Sequence, residues 1–211
     1  WMLWVPLVVL YLLIPLLDYL FPNDRSNPPE QIVPQLEADG YYRLLNYLTV
    51  PLHFFILIAG AWFVANNDLG WGGLLGLSLT VGVIGGFGVN TGHELGHKKN
   101  SMDRLVARIV LSVPFYGHFN IEHNAGHHAK VATPEDSASA RYGESIYQFS
   151  LREIPGGLKR AWQLERKRLQ RRGYRLLSWR NEILQSYMLS LALYGGLLIA
   201  FGWTILPYLI I

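Results

Sequence analysis

Residues 70–97, GWGGLLGLSLTVGVIGGFGVNTGHELGH, decide what kind of fold this chain adopts. From Gly70 or Trp71 to Asn90 the stretch is uncharged and apolar, and long enough to cross a bilayer as a helix. Gly82, Gly85, Gly86 and Gly88 allow close packing against neighbouring helices. The run leads directly into His93-Glu94-Leu95-Gly96-His97, so this cluster is expected at or just beyond the membrane boundary. A second cluster follows at Glu122-His123-Asn124-Ala125-Gly126-His127-His128, and the two hold five of the seven histidines. His93 and His97 are four apart, as are His123 and His127, which on a helix puts each pair on one face, one turn apart. His128 adds a donor about 100° round the second helix. Imidazole is the commonest protein metal ligand and suits iron, zinc and copper. The expectation is a polynuclear metal site assembled from helices.

Composition supports a membrane setting. Of the 211 residues, 51% are apolar and only 16% charged, an unusual balance for a soluble domain. The absence of cysteine excludes a disulfide, a thiolate–metal site and an iron–sulfur cluster on this chain, so a metal must be held by nitrogen and oxygen. One domain, 1–211, is expected. The fold class is all-α, a polytopic membrane helical bundle with four visible spans at 1–21, 47–65, 70 or 71–90, and 182 or 183–211. Pro6 and Pro15 should bend the first, as membrane helices tolerate. No basic segment precedes it and no small-residue cleavage site follows, which argues against a signal peptide. Residues 21–40 form a polar, proline-rich connection, whereas 66–70 is short enough to make the second and third spans an antiparallel hairpin. Trp62 and Trp71 sit where interfacial aromatics belong. Both ends fall inside apolar runs, so the chain is expected to be incomplete at both.

Several segments outside the clusters carry their own expectations. His53, inside the second span, has no histidine neighbour and reads as a buried, hydrogen-bonded residue. Residues 105–119 are apolar but too short to span, hence re-entrant or interfacial, and His118 within them could support the ligands without being one. Residues 129–150 read as a polar loop. Residues 158–175 form a strongly basic helix with Leu158, Trp162 and Leu169 as an apolar stripe, suited to anionic lipid or to an acidic protein. All the lysines and arginines except Arg25 and Arg43 lie between Lys98 and Arg180. Positive charge marks the cytoplasmic side, which puts both clusters in the cytoplasm and Trp1 on the far side. An earlier span would then precede Trp1.

Three kinds of chemistry compete. His93-Glu94-Leu95-Gly96-His97 also matches the zinc-protease pattern, with Glu94 activating water. That reading needs a downstream aspartate ligand in a membrane segment, which is not visible, and leaves the second cluster without purpose. A histidine-bearing metal carrier or sensor would explain a site but not the long polar segments around it. A non-haem di-iron oxygenase suits neutral nitrogen donors at helix ends, with a hydrophobic substrate already dissolved in the surrounding lipid.

A resemblance makes the third reading specific. Residues 90–99 and 121–128 resemble the first two histidine boxes of bacterial membrane alkane 1-monooxygenases. The likeness continues through residues 131–136, 143–145 and 149–156, and upstream through 16–18 and 27–30, so it covers nearly the whole chain. The boxes alone would also admit a related desaturase or a xylene monooxygenase-like hydroxylase. The resemblance implies a six-span protein of the bacterial inner membrane with two non-haem iron ions held only by histidines. It implies terminal hydroxylation of medium-chain n-alkanes to 1-alkanols, using dioxygen and electrons from rubredoxin, itself reduced by rubredoxin reductase. Membrane lipid surrounds such an enzyme, and no nucleic-acid partner is expected. Carried over by position, His93, His97, His123, His127 and His128 are iron ligands, and Glu94 and Glu122 orient imidazoles. The chain departs from the family in lacking the later histidine-containing segments, which are expected beyond Ile211. Five imidazoles are too few for two irons, so the chain alone is expected not to form a competent di-iron site. Leu10, Tyr11 and Ile14 share helical spacing on the first span and either line a substrate channel or simply meet lipid.

Overall fold

The computed structural model describes residues 1–21 and 26–211, apart from the side chain of Glu37. Among the described residues every regular element is helical. In chain order these are α1 (Met2–Leu20), a short α2 (Val33–Ala38) behind a 3-10 turn, α3 (Gly40–Asn66), α4 (Gly70–Gly96), α5 (Ser101–Val110), α6 (119–130), α7 (Ile146–Arg171), α8 (Glu182–Phe201) and α9 (Leu206–Ile210). The helices α1, α3, α4 and α8 are long and apolar enough to cross a membrane. These are the four spans expected, with altered ends.

The chain forms two compact units, one of residues 1–88 and 194–211 and the other of residues 89–193. In the first, α1 lies along the beginning of α4. The Trp4 indole donates to the carbonyl of Gly72 at 3.0 Å, and Thr80 Oγ1 donates to the carbonyl of Leu3 at 2.7 Å. Pro15 cannot donate its helical hydrogen bond, and α1 accommodates the defect with a π turn at Val9–Leu13 rather than a break. No residue of α1 is buried: Tyr11 and Ile14 are exposed and Leu10 is half-buried. The expected connection at 21–40 is partly helical, with a 3-10 turn at Glu30–Ile32 leading into α2; residues 22–25 lie outside the described ones. Asp39 then caps α3 by accepting from the Tyr41 amide at 2.9 Å. His53 is buried as expected, bonded to the backbone of Ile84. The expected fourth span is shortened, because Gly202 at φ 79° ends α8 and the chain turns into α9. There Tyr208 reaches back over Gly60 to donate to the carbonyl of Leu57 at 2.9 Å.

The second unit is built round α7, which begins at Ile146, well before the basic stretch read from the sequence. A capping box of Ser145 and Gln148 starts it, and it continues through Pro155. Its buried stripe is Gly157, Ala161, Glu165 and Leu169, rather than Leu158 and Trp162. Glu165 is 0% exposed; its carboxylate accepts two 2.6 Å bonds from Arg168 and a 2.7 Å bond from the backbone amide of Glu182. A carboxylate thereby neutralises the positive N-terminus of α8, which Asn181 also caps through the amides of Ile183 and Leu184. The segment read as re-entrant or interfacial begins within α5, whose buried face is Asp103, Ala107 and Val110, and Leu111 beyond it is fully buried. Leu95, Leu111, Leu169 and Ile183 each contribute about 1.5–3 kcal/mol by leaving water. Leu111 reaches its place because Gly92 has no side chain; a Cβ there would lie 2.6 Å from Leu111 Cγ.

Candidate metal centre

The end of α4 and the whole of α6 meet in this second unit, and their histidines face one another. The expected span at 70–90 continues as helix to Gly96, which sets His93 on the last turn and His97 just beyond it. Asn124 Nδ2 donates to the carbonyl of Gly96 at 3.2 Å, tying the two elements together. Gly96 permits that approach, since a Cβ would overlap the Asn120 side chain.

Four ring nitrogens converge. The Nε2 atoms of His93 and His97 are 3.0 Å apart, those of His97 and His123 are 3.2 Å apart, and those of His123 and His128 are 3.1 Å apart. Imidazole–metal bonds such as the roughly 2.0–2.1 Å bonds of zinc sites put neighbouring ligand nitrogens about 3 Å apart. The spacing therefore fits a shared cation, and His93, His97 and His123 are mutually close enough to hold one. Burial, then the neighbouring imidazole of His93, lowers the pKa of His97. The same two influences hold His123 down to about 4. At neutral pH these rings are uncharged and present lone pairs, as a nitrogen-only metal site requires.

The second cluster departs from ideal α-helical geometry. Residues His123–His127 form a π turn, in which the amide of His128 donates to the carbonyl of His123 five residues back. This turn pairs His123 with His128, whereas four-residue spacing had paired it with His127. His127 stacks parallel to His123 at 5.4 Å between ring centres and turns its Nδ1 to Asp136. The Asp136 carboxylate accepts from Nδ1–H at 2.8 Å, leaving Nε2 of His127 as the ring's lone-pair nitrogen. Phe119 stacks on His123 with 5.0 Å between ring centres and keeps water from one side of it.

A carboxylate network lies behind α6. Arg160 reaches from α7 to Glu122, to Asp136 Oδ1 at 2.9 Å, to Ser137 Oγ at 2.7 Å and to the carbonyl of Glu135 at 2.8 Å. Burial pushes Asp136 up, but Ser139, His127 and the Ala138 amide together outweigh it and hold the carboxyl below its ordinary range. Burial also pushes up Glu122, 4% exposed, and Arg160 offsets this only in part. Of the two glutamates read from the sequence as orienting imidazoles, Glu94 pairs with Lys98 at 2.7 Å and Glu122 pairs with Arg160. The carboxylate that meets a ring is Asp136, which lay in a matching segment but carried no spacing signal of its own. His118 hydrogen-bonds Tyr187 at 2.9 Å, and burial holds it down to about 4.

Apolar helices of membrane-crossing length and a nest of convergent imidazoles place the chain among helical membrane proteins with histidine-rich sites. The fatty acid desaturase family matches residues 69–211, and the chain belongs to it. The chain is 53% identical over 211 residues to alkane 1-monooxygenase 1 of Alcanivorax borkumensis, covering 99% of this chain and 52% of the relative. It is 53% identical over 203 residues to the alkane 1-monooxygenase of Ectopseudomonas oleovorans, covering 96% and 51%. The hydroxylase component of a Pseudomonas putida xylene/toluene monooxygenase is 34% identical over 105 residues, covering 49% and 28%. The chain thus spans about half the length of the alkane monooxygenases it matches.

Proposed function

We propose that this chain carries a histidine-ligated non-haem iron site of a membrane alkane 1-monooxygenase, which hydroxylates medium-chain n-alkanes at the terminal carbon. The observation that carries the proposal is the chain of Nε2 atoms of His93, His97, His123 and His128 at 3.0–3.2 Å steps. The relatives are named as alkane 1-monooxygenases, which supports alkanes as the substrate class. Iron, when bound, supplies dioxygen activation and attack on an unactivated C–H bond. The chain's own groups hold and shield it: His93, His97, His123 and His128 offer nitrogen, and His127 offers Nε2 under the control of Asp136. Two six-coordinate irons need more donors than five imidazoles, so we assign the purified chain fewer than two tightly bound irons.

Rubredoxin is the proposed electron donor, and the bacterial inner membrane with the site facing the cytoplasm is the proposed location. The density of arginine and lysine between Lys98 and Arg180 supports that orientation. Leu10, Tyr11 and Ile14 are proposed to limit the length of alkane accepted. The test uses membranes of cells expressing this chain within a protein of the relatives' full length, supplied with octane, dioxygen, rubredoxin and its reductase, together with metal analysis of the purified chain. Formation of 1-octanol and iron in the chain support the reading. Zinc in place of iron, untouched octane or peptide cleavage would overturn it.

A further inference from the structure

Two hollows adjoin where α5 faces the beginning of α8, and no histidine lines either one. One, of about 600 Å³, is apolar, with walls that include Leu105, Leu177, Trp179, Leu184, Met188 and Leu189. The other, of about 390 Å³, is polar, and Arg104, Arg108 and Arg172 line it together with Ser101, Asn120 and Asn124. Arg108 belongs to both walls. Each volume lies in the range of ordinary ligand sites, about 300–1,000 Å³.

The polar hollow carries a surplus of positive charge. Arg104 and Arg108 are four residues apart and project from one face of α5. Neither Arg104 nor Arg172 has an ion-pair partner among the described residues, and Arg108 donates to the neutral Gln185 at 2.8 Å. Glu182 is the carboxylate on that wall and shares Arg168, at 3.4 Å, with the closer Glu165, so three arginines face one carboxylate and a positive surplus remains. The apolar hollow is uncovered: Leu177, Trp179 and Met188 are all well exposed. It is walled by the first two turns of α8, a helix long enough to cross a membrane, and Trp179 has the amphipathic character of an interfacial residue.

We propose that these hollows form a binding site for one anionic phospholipid, with its phosphate among Arg104, Arg108 and Arg172 and an acyl chain along Leu105, Leu184 and Met188. Guanidinium groups recognise phosphate oxygens by paired N–H donors, and the adjoining apolar wall selects a phosphate that carries a hydrocarbon tail. A zwitterionic lipid would bring a choline cation among three arginines and is disfavoured. The site is a local one, distinct from the general attraction of the basic α7 to an anionic surface.

Native mass spectrometry of the full chain, delipidated and then exposed to phosphatidylglycerol or phosphatidylcholine, tests this. One phosphatidylglycerol is retained, at least about ten-fold more tightly than phosphatidylcholine. Arg104→Gln with Arg172→Gln lowers that retention about ten-fold, whereas Lys159→Gln with Lys167→Gln, which removes equal charge from α7, leaves it unchanged. Met188→Trp fills the apolar hollow and also lowers retention, with all arginines in place. Circular dichroism verifies that each variant is folded. Equal retention of the two lipids, undiminished binding by both the arginine pair variant and Met188→Trp, or an equal loss in the α7 variant would overturn the proposal. Full displacement by inorganic phosphate would overturn it too, by marking a site for the free ion.

Discussion

The Nδ1 of His127 and the Oδ2 of Asp136 are 2.8 Å apart, and Asp136 is otherwise satisfied by Ser139, the Ala138 amide and Arg160. Because a carboxylate only accepts, this contact fixes which ring nitrogen carries the proton and which is left for a metal. In Asp136→Asn one amide position must present N–H groups either to His127 or to Arg160, so one of the two contacts is lost. Iron affinity is expected to fall about 10–100-fold, as for other residues that orient a metal-bound imidazole. Equilibrium iron titration reads this directly. An unchanged affinity in a folded Asp136→Asn variant would remove His127 from the ligand set or Asp136 from its control.

Arg160 is a fork, and lysine cannot reproduce it. Its guanidinium engages Glu122, Asp136, Ser137 and the carbonyl of Glu135 at once. Arg160→Lys retains the charge but leaves at least one buried acceptor without a donor, which costs about 1–3 kcal/mol. Arg160→Ala leaves two buried carboxylates facing each other and should cost about 3–5 kcal/mol. Glu122, already pushed up by burial, is expected to rise further in the alanine variant and to take up a proton. Thermal unfolding should rank the variants lysine, then alanine, in increasing damage, and Glu122→Gln should recover part of the alanine loss.

The four long helices and the gathering of histidines beyond a helix end were legible because each rests on local signals: apolar runs of sufficient length, and imidazoles next to a helix end. What was not legible depends on partners distant in sequence. The four-residue spacing of His123 and His127 implied an α-helical pair, but α6 contains a π turn, which no residue pattern there announces, and His128 became the partner instead. Pro155 and the polar residues before it concealed the early start of α7, where a capping box outweighed the proline. Glu165, on a strongly basic helix, reads as a solvated charge, yet it is fully buried because Arg168 and the amide of Glu182 meet it. Asp136 has no local signal at all, since its meaning comes from His127 and from an arginine 24 residues away.

Gly96 sets the distance between the two histidine elements. A Cβ at this position would overlap the Asn120 amide, with Cγ at 2.6 Å. Gly96→Ala must displace the Asn120 amide, and to the extent that α6 yields with it the displacement falls on His97 and His123. Overpacking of this kind costs about 1–3 kcal/mol, and a change under an ångström suffices to spoil a nitrogen donor set. The expected outcome is a folded variant with weakened iron binding. Gly82→Ala, where a Cβ would meet open space, serves as the control and should bind iron normally.

The proposed role of Leu10, Tyr11 and Ile14 has a simple steric consequence. Leu10→Trp adds bulk to a half-buried position on α1 and should shift the product profile of octane, decane and dodecane mixtures toward the shorter alcohols. Gas chromatography of the alcohols measures the shift. An unchanged profile with normal total turnover would assign this face of α1 to lipid contact.

The segment between α6 and α7 should loosen in acid. Glu144 accepts from Arg152 at 2.8 and 2.7 Å and from the Arg141 amide at 2.9 Å, and these bonds hold its carboxyl down to about 2, against an ordinary value of 4.5. A carboxyl whose pKa is lower in the folded chain stabilises it fully above the ordinary value, and that contribution fades as pH falls from about 4.5 toward 2. Arg152 also donates to the carbonyls of Ser137 and Ser139, so protonating Glu144 frees the arginine that organises the turns beside Asp136. Hydrogen exchange of residues 131–145 is expected to accelerate across this window. Histidines titrate nearby, so the comparison with Glu144→Gln isolates the carboxyl. That variant should exchange faster at neutral pH and lose part of the acid dependence, and an acid response identical to the parent's would exclude Glu144 as its source.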